Sequence, residues 1–184
     1  MKKQIIIASL GLTSLLSSSL TLAANHVWAV KCLDPSGGHT IHVKAITMDG
    51  QSWDIKGIES SSNDMLHIKA ISNSKEVLPV KVLPNSNKKG HLDVKSTQNG
   101  NVVHIKGITN TGKLLDVKAI RRPDQDKYHY DIKCVMPNGA LAGLKAISPT
   151  GQVYDIKGFG FLPNEKTLDI NIQGHIKGVP QRHH

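Results

Sequence analysis

The stretch Trp53-Asp54-Ile55-Lys56-Gly57-Ile58 carries the pattern that decides the fold: apolar, acidic, β-branched, lysine, small, apolar. The same order returns at Leu115-Asp116-Val117-Lys118-Ala119-Ile120 and at Tyr154-Asp155-Ile156-Lys157-Gly158-Phe159. Histidine replaces the aspartate in Leu66-His67-Ile68-Lys69-Ala70-Ile71. Alternation of this kind, with Ile or Val at the inner place, is typical of a β-strand with one apolar face. The unit therefore predicts a short strand wherever it occurs.

Lysine marks this unit along the whole chain. Twelve of the eighteen lysines after residue 24 stand at the same place in a copy of it: 31, 44, 56, 69, 81, 95, 106, 118, 133, 145, 157 and 177. We expect an all-β protein, an antiparallel meander of about 12 short repeat strands curled into a barrel or a sandwich. The alternative is a β-solenoid, against which the unequal spacing of the units argues, since loops absorb insertions more easily in a meander.

Turns with glycine at a fixed place separate the units, as in Thr47–Gly50 and Ser148–Gly151. Such turns are typical of a three-residue hairpin loop with a left-handed glycine and a bulge. A loop over Asp49–Gln51 predicts that Lys44 lies opposite Lys56. The lysines then form a row on one face of the sheet, and the other face is the apolar core.

The N-terminal segment has the pattern of a targeting signal rather than that of a folded domain. Lys2 and Lys3 precede an apolar run to Leu22 and two small residues, which predicts a secretory signal peptide over 1–24. The alternative is a retained anchor. Residues 25–179 are predicted to be one β-repeat domain, with a candidate internal break at 121–127, and 180–184 a disordered tail. The protein is expected in the periplasm or secreted, with no later segment apolar enough to span a membrane.

Two cysteines, Cys32 and Cys134, stand at the small, core-facing place of their units. An oxidising compartment permits a disulfide between them. In the chain-entropy model a closed loop of this length, about a hundred residues, contributes on the order of 4–5 kcal/mol. The alternative is two buried free thiols.

A formal net charge of +9 fits an acidic partner, namely acidic polysaccharide, lipopolysaccharide or nucleic acid. Composition alone favours the alternative, in which the charge only keeps the protein soluble. A regular line of ammonium groups fits a polyanion, whose counterions it would release, and nearby aspartates would weaken its field. The candidate polyanion-binding residues are the most regular motif lysines: Lys44, Lys56, Lys69, Lys106, Lys118 and Lys157.

Histidine offers a second, weaker candidate site. His42, His67 and His104 take the place that aspartate holds elsewhere, and imidazoles beside carboxylates can bind zinc or copper. The chain after residue 24 contains no HExxH, GxSxG or P-loop motif. No cofactor and no catalytic residue are predicted. The alternative class is a metal-binding protein or a hydrolase that uses the His and Asp positions.

The tandem Asp-Val-Lys-Ala-Ile and Asp-Ile-Lys-Gly-Ile units resemble those of uncharacterised exported bacterial proteins built of the same kind of repeat. The resemblance covers nearly all of the chain after residue 24 and implies an exported β-repeat protein. It assigns no activity. Together with the charge, it favours a non-enzymatic binding or structural role in the cell envelope, with contact to acidic polymers through a lysine-lined face.

Overall fold

The computed structural model of the chain describes residues 26–35, 37, 39–60, 63–83, 91–121, 129–160 and 174–181. This part of the chain forms thirteen β-strands, and every pairing between them is antiparallel, which confirms the all-β prediction. The strands are β1 (Val27–Leu33), β2 (Thr40–Ile46), β3 (Ser52–Ser60), β4 (Asn63–Ile71), β5 (Val77–Pro79), β6 (Lys81–Leu83), β7 (His91–Gln98), β8 (Asn101–Ile108), β9 (Leu114–Ile120), β10 (His129–Val135), β11 (Leu141–Ile147), β12 (Val153–Gly160) and β13 (Gly174–Pro180).

Several predicted segments lie outside the described residues. These are the signal peptide over 1–24, residues 122–127 of the candidate break, and 182–184 of the predicted tail. The start of that tail belongs to the fold instead. Pro180 is the last residue of β13 and lies opposite Tyr154, and the Gln181 amide donates a hydrogen bond to Asp155 Oδ1 at 3.2 Å.

Alternate residues of each strand point into one shared core, as the repeat predicts. In β2 the buried residues are Ile41, Val43 and Ala45, whereas Lys44 between them is half-buried on the outer face. Most of the other strands show the same alternation with Ile, Val, Leu or a small residue inward. The predicted division into an apolar face and a lysine face is therefore confirmed.

The hairpin loops have the predicted glycine geometry but a different register. Gly50 has a φ of 82°, and the loop closes at Thr47 and Gln51, whose N–H and C=O groups are 3.0 Å apart. Lys44 consequently lies opposite Asp54, two residues from the predicted partner Lys56. The prediction was wrong because it closed the loop one residue too late on each strand. A shift of two keeps the faces intact and replaces a like-charge pair by an opposite-charge pair.

The strands pair in sets of three, and each set closes into a triangle. In triangle 1, formed by β1, β2 and β3, the first half of each strand pairs with the second half of another. Triangle 2 consists of β7, β8 and β9, triangle 3 of β10, β11 and β12, and triangle 4 of β4, β5–β6 and β13. In triangle 4, β5 and β6 form one side that is interrupted at Val80, whose N–H donates to Ile68 at 3.3 Å.

The outer edges of these sides join the triangles to one another. Six ladders connect them, namely β1–β11, β2–β8, β3–β4, β6–β7, β9–β10 and β12–β13. Each ladder links a different pair of triangles, which is the connectivity of the four faces and six edges of a tetrahedron. Strands consecutive in sequence do pair, as in a meander, but closure through triangles replaces the predicted barrel or sandwich. Antiparallel ladders throughout also differ from the coils of the solenoid alternative.

This closure separates the lysines into four groups, so the predicted row is wrong. Two motif lysines lie opposite each other in each ladder: Lys31 and Lys145, Lys44 and Lys106, Lys56 and Lys69, Lys81 and Lys95, Lys118 and Lys133, Lys157 and Lys177. The two members of a pair belong to different triangles. Each triangle therefore carries three motif lysines on its outer surface.

A disulfide lies where triangles 1, 2 and 3 meet. Cys32 of β1 and Cys134 of β10 are joined there, both fully buried, with Cα atoms 6.5 Å apart. The small residue after the motif lysine makes the close approach possible. A Cβ on Gly107 would lie 3.0 Å from Cys134 Sγ and 3.2 Å from Ile41 Cγ2. Of the two readings that the sequence left open, the structure has the disulfide.

Candidate anion-binding faces

Inside each triangle, one rule places every motif lysine. The lysine lies opposite the residue that comes two places before the motif lysine of the next strand around the triangle. Lys31 thus faces His42, and Lys44 faces Asp54. Because directly opposite residues share a face, the lysine side chain can reach that neighbour. The residue at this position, which we call the facing position, decides what each lysine contacts.

In triangle 2 the facing positions hold two aspartates that bind all three lysines. Asp93 accepts from Lys118 at 2.6 Å and from Lys95 at 2.8 Å. Asp116 accepts from Lys106 at 2.5 Å. Burial opposes ionisation of Asp93, but the hydrogen bonds from the two lysines outweigh it and lower the pKa of that carboxyl.

Triangle 3 repeats this arrangement with Asp131 and Asp155. Lys157 donates to Asp131, which also lies 3.8 Å from Lys133, and Lys145 donates to Asp155. The cavity at the centre of the triangle measures only about 40 Å³. The ion pairs thus fill the space between the lysines, and the surface of triangle 3 is close to neutral.

Triangle 1 has one aspartate for three lysines. Asp54 accepts from Lys44 and lies 3.3 Å from Lys56, and the hydrogen bond from Lys44 is the main cause of its lowered pKa. Lys31 donates instead to His42 Nδ1 at 2.7 Å. A depression of about 240 Å³ lies among these side chains, six times the volume at the centre of triangle 3.

Triangle 4 has no carboxylate at any facing position. Lys81 donates to His175 Nδ1 at 2.6 Å, and Lys177 donates to His67 Nδ1 at 2.8 Å. Lys69 lies opposite Pro79, whose side chain has no polar atom that the lysine could contact. A neutral imidazole can accept these hydrogen bonds, but it does not balance the ammonium charges. Counting the motif lysines and the residues at the facing positions, triangle 4 is therefore the most positive of the four triangles.

The charges of triangle 4 affect one another. Burial and then the charges of Lys69 and Lys177 lower the pKa of Lys81. Burial and then Lys69 lower the pKa of Lys177. The pKa of His67 falls for the same reasons: burial first, then Lys177 and Lys69. These side chains are close enough to repel, and an added positive charge is unfavourable there.

The six lysines that the sequence selected do not form one site. Lys44 and Lys56 lie on triangle 1, Lys69 on triangle 4, and the others in carboxylate-rich surroundings: Lys106 and Lys118 on triangle 2 and Lys157 on triangle 3. Sequence reasoning left out Lys31, Lys81 and Lys177, which complete triangles 1 and 4. Their units are the less regular copies of the repeat, so a selection by regularity passes over them. The absence of aspartate two places before each of them was a signal in the sequence.

The three histidines of the candidate metal site lie on three different triangles. His42 is on triangle 1, His67 on triangle 4, and His104 on triangle 2, where it shares the face with Asp93 and Asp116. Each faces a motif lysine. Among the residues that the structure describes, no group of three His, Cys, Asp or Glu side chains could hold a metal ion.

Three of the aromatic side chains that the structure describes belong to the core. Trp28, Trp53 and Tyr130 are buried, and Trp28 contacts Tyr154 with ring centroids 4.5 Å apart. They do not offer a surface on which nucleic-acid bases could stack.

Fold and faces together define a class: an all-β protein that presents twelve repeat lysines in four triangles of unequal charge. The chain belongs to a family of unknown function (DUF7486), whose model matches residues 24–179. No curated protein and no solved structure matches it. Within the described ranges, no helix has the length and apolar character needed to cross a membrane.

Proposed function

We propose that this is an exported, non-enzymatic protein that binds acidic polymers through triangles 1 and 4. The single observation that carries the proposal is the uneven distribution of carboxylates. At the facing positions the lysines meet two aspartates on each of triangles 2 and 3, one on triangle 1 and none on triangle 4.

Triangles 1 and 4 are also neighbours. They share the β3–β4 ladder, in which Lys56 lies opposite Lys69. The two faces together present six motif lysines and one facing aspartate, Asp54. A surface of this kind attracts a chain with repeated negative charge and releases its counterions. Triangles 2 and 3 provide the contrast, because each of their lysines already contacts a carboxylate.

Among acidic polymers, acidic polysaccharide fits better than single-stranded nucleic acid. The largest aromatic side chains, Trp28 and Trp53, face the core, so base stacking has no support from them. Lipopolysaccharide, which carries phosphate groups, and double-stranded nucleic acid are the other ligands to consider. Competition of each with the polysaccharide for binding distinguishes them. The proposed location is the periplasm or the exterior of the cell.

Retention on a heparin column tests the proposal. Wild-type protein is expected to bind at low salt and to elute as the salt rises. The triple variant Lys31→Gln, Lys69→Gln, Lys177→Gln should elute at a much lower salt concentration than wild type. Each lost contact lowers, by about one, the slope of the logarithm of the binding constant against the logarithm of the salt concentration. The matched control, Lys106→Gln, Lys118→Gln, Lys157→Gln, has the same net charge and should elute later than the first triple. Elution of the wild type in the void at low salt would overturn the proposal.

A further inference from the structure

Triangles 2 and 3 show what a triangle of motif lysines binds. In triangle 2 the Asp93 carboxylate takes hydrogen bonds from two lysines that come from different strands, Lys95 and Lys118. In triangle 3 the Asp131 carboxylate lies between Lys157 and Lys133 in the same way. In both, an oxyanion bridges lysines across the triangle, and that oxyanion belongs to the protein itself.

Triangle 4 has the same backbone frame with no carboxylate of its own at the facing positions. Lys81 lies opposite His175, and Lys177 lies opposite His67, in the register that triangles 2 and 3 also use. Opposite residues are about 5 Å apart and residues two places apart on a strand about 7 Å. A lysine carries its ammonium group on a flexible four-carbon stem, so the ammonium groups of Lys69, Lys81 and Lys177 can converge above the centre of the triangle.

We propose that triangle 4 is a binding site for a tetrahedral oxyanion, a phosphate or sulfate group, held by Lys69, Lys81 and Lys177. This rests on the proposed function and specifies its anchoring group. Three ammonium groups from three strands match the three outward oxygens of a phosphate or sulfate ester. A planar carboxylate offers only two oxygens, and each charge-assisted hydrogen bond to an oxyanion is of the strong kind.

The two histidines support the site without adding a negative charge. His67 and His175 each accept a hydrogen bond from a lysine through Nδ1. The contacts orient Lys177 and Lys81 while leaving further ammonium hydrogens for the ligand. Burial is the main cause of the lowered pKa values of Lys81 and Lys177, and the charges of the neighbouring lysines add to it; an anion would relieve that repulsion.

Titration of ¹⁵N-labelled protein with inorganic phosphate tests the site by NMR. Amide shifts should concentrate on β4, β6 and β13 and be weak on triangles 2 and 3. A sugar phosphate should bind at the same place as inorganic phosphate, whereas a uronic acid of similar size should bind more weakly. Vesicles carrying a phosphomonoester lipid distinguish a lipid headgroup from these soluble sources. Shifts spread evenly over the four triangles would overturn the inference.

Two pairs of variants sharpen the test. His67→Asp places a carboxylate where triangles 2 and 3 have one and should weaken phosphate binding about tenfold or more. His67→Asn keeps an oxygen that can accept from Lys177 and adds no charge, so it should weaken binding much less than His67→Asp does. Lys177→Gln should weaken binding by a similar factor, and its ladder partner Lys157→Gln, on triangle 3, should have little effect. Equal effects of His67→Asp and His67→Asn would contradict the site.

Different experimental results would overturn the phosphate or sulfate site on triangle 4 and the proposed binding of acidic polymers. Retention on heparin together with unlocalised phosphate shifts would leave polymer binding in place and overturn the tetrahedral-oxyanion site. Localised phosphate shifts without retention on heparin would overturn polymer binding and leave a site for a small anion.

Discussion

The residue two places before each motif lysine decides the charge of the face on which it lies. Where it is aspartate, as at Asp93, a lysine of the neighbouring strand forms an ion pair with it. Where it is histidine, as at His67, the lysine forms a hydrogen bond but gains no opposite charge. The sequence indicated that these aspartates would weaken the field of the lysines. It did not indicate that the partner of an aspartate is mainly the lysine of another strand, because that depends on the register.

The small residue after the motif lysine has a packing role that substitution can test. Gly107→Ala should lower the free energy of unfolding by about 1–3 kcal/mol, because the new methyl group would meet Cys134 Sγ at 3.0 Å and Leu115 at 3.3 Å. Gly143→Ala is the matched control, since its Cβ would meet nothing closer than Lys133 Nζ at 3.7 Å. Denaturant unfolding measures both. Equal stability of the two variants would contradict the proposed packing at this corner.

At the scale of the strands, the repeat unit predicts well which residues of a strand face the core, but it predicts poorly which strands pair and in which register. Alternation alone placed Val43 and Ala45 in the core and Lys44 outside, as observed. The register of the β2–β3 hairpin depends on which residue closes the loop, and Thr47 and Met48 are equally plausible from sequence. The pairing of β1 with β11 joins residues more than a hundred positions apart, and no local pattern specifies such a contact.

Three histidines that face motif lysines make the stability of the protein depend on pH. Burial, Lys177 and Lys69 lower the pKa of His67 below its usual 6.5 in the folded protein. Burial and charge likewise lower the pKa of His104, and the charge of Lys31 is the main cause for His42. The unfolded chain therefore takes up protons first as the pH falls. Stability is present above the unfolded pKa and declines as the pH drops through and below it.

Chemical denaturation at about pH 7.5 and about pH 5.5 measures this effect, and the protein should be less stable at the lower pH. His67→Gln keeps an oxygen that can accept from Lys177 and removes one titrating group, so the difference between the two pH values should shrink. The pKa of Asp54, which pairs with lysine, is also lowered. Ion pairs of this kind affect the stability only at a pH below this range. A wild-type protein that is more stable at the lower pH would contradict the assigned neutral histidines.

At the scale of the molecule, closure through four triangles has consequences that the strands alone do not have. Every described strand except β5, which pairs only with β4, has partners on both edges, so few backbone groups of these strands are left to pair with other chains. The closure also distributes the motif lysines over surfaces that point in different directions. Sequence reasoning could predict an all-β repeat protein and its core, but the separation of charge among the faces follows from the three-dimensional closure.

The Cys32–Cys134 disulfide holds the first strand of this closed structure to a late one. It closes a loop with a sequence separation of 102 residues, for which the chain-entropy model gives about 4–5 kcal/mol. Reduction should therefore lower the denaturant midpoint strongly. The variant Cys32→Ala, Cys134→Ala should be less stable than the oxidised protein and should not respond to the reductant. An unchanged midpoint of the wild type after complete reduction would contradict this role.

Charge on the outer surface is divided unequally, and we propose that triangles 1 and 4 receive the acidic polymer. The most direct test is an NMR footprint of a sulfated oligosaccharide on the wild-type protein. We predict shifts on strands β1 to β4, β6 and β13, around Lys31, Lys56, Lys69 and Lys177, with far smaller shifts around Lys118 and Lys145. A footprint centred on triangles 2 and 3, or an even one over all four faces, would contradict it.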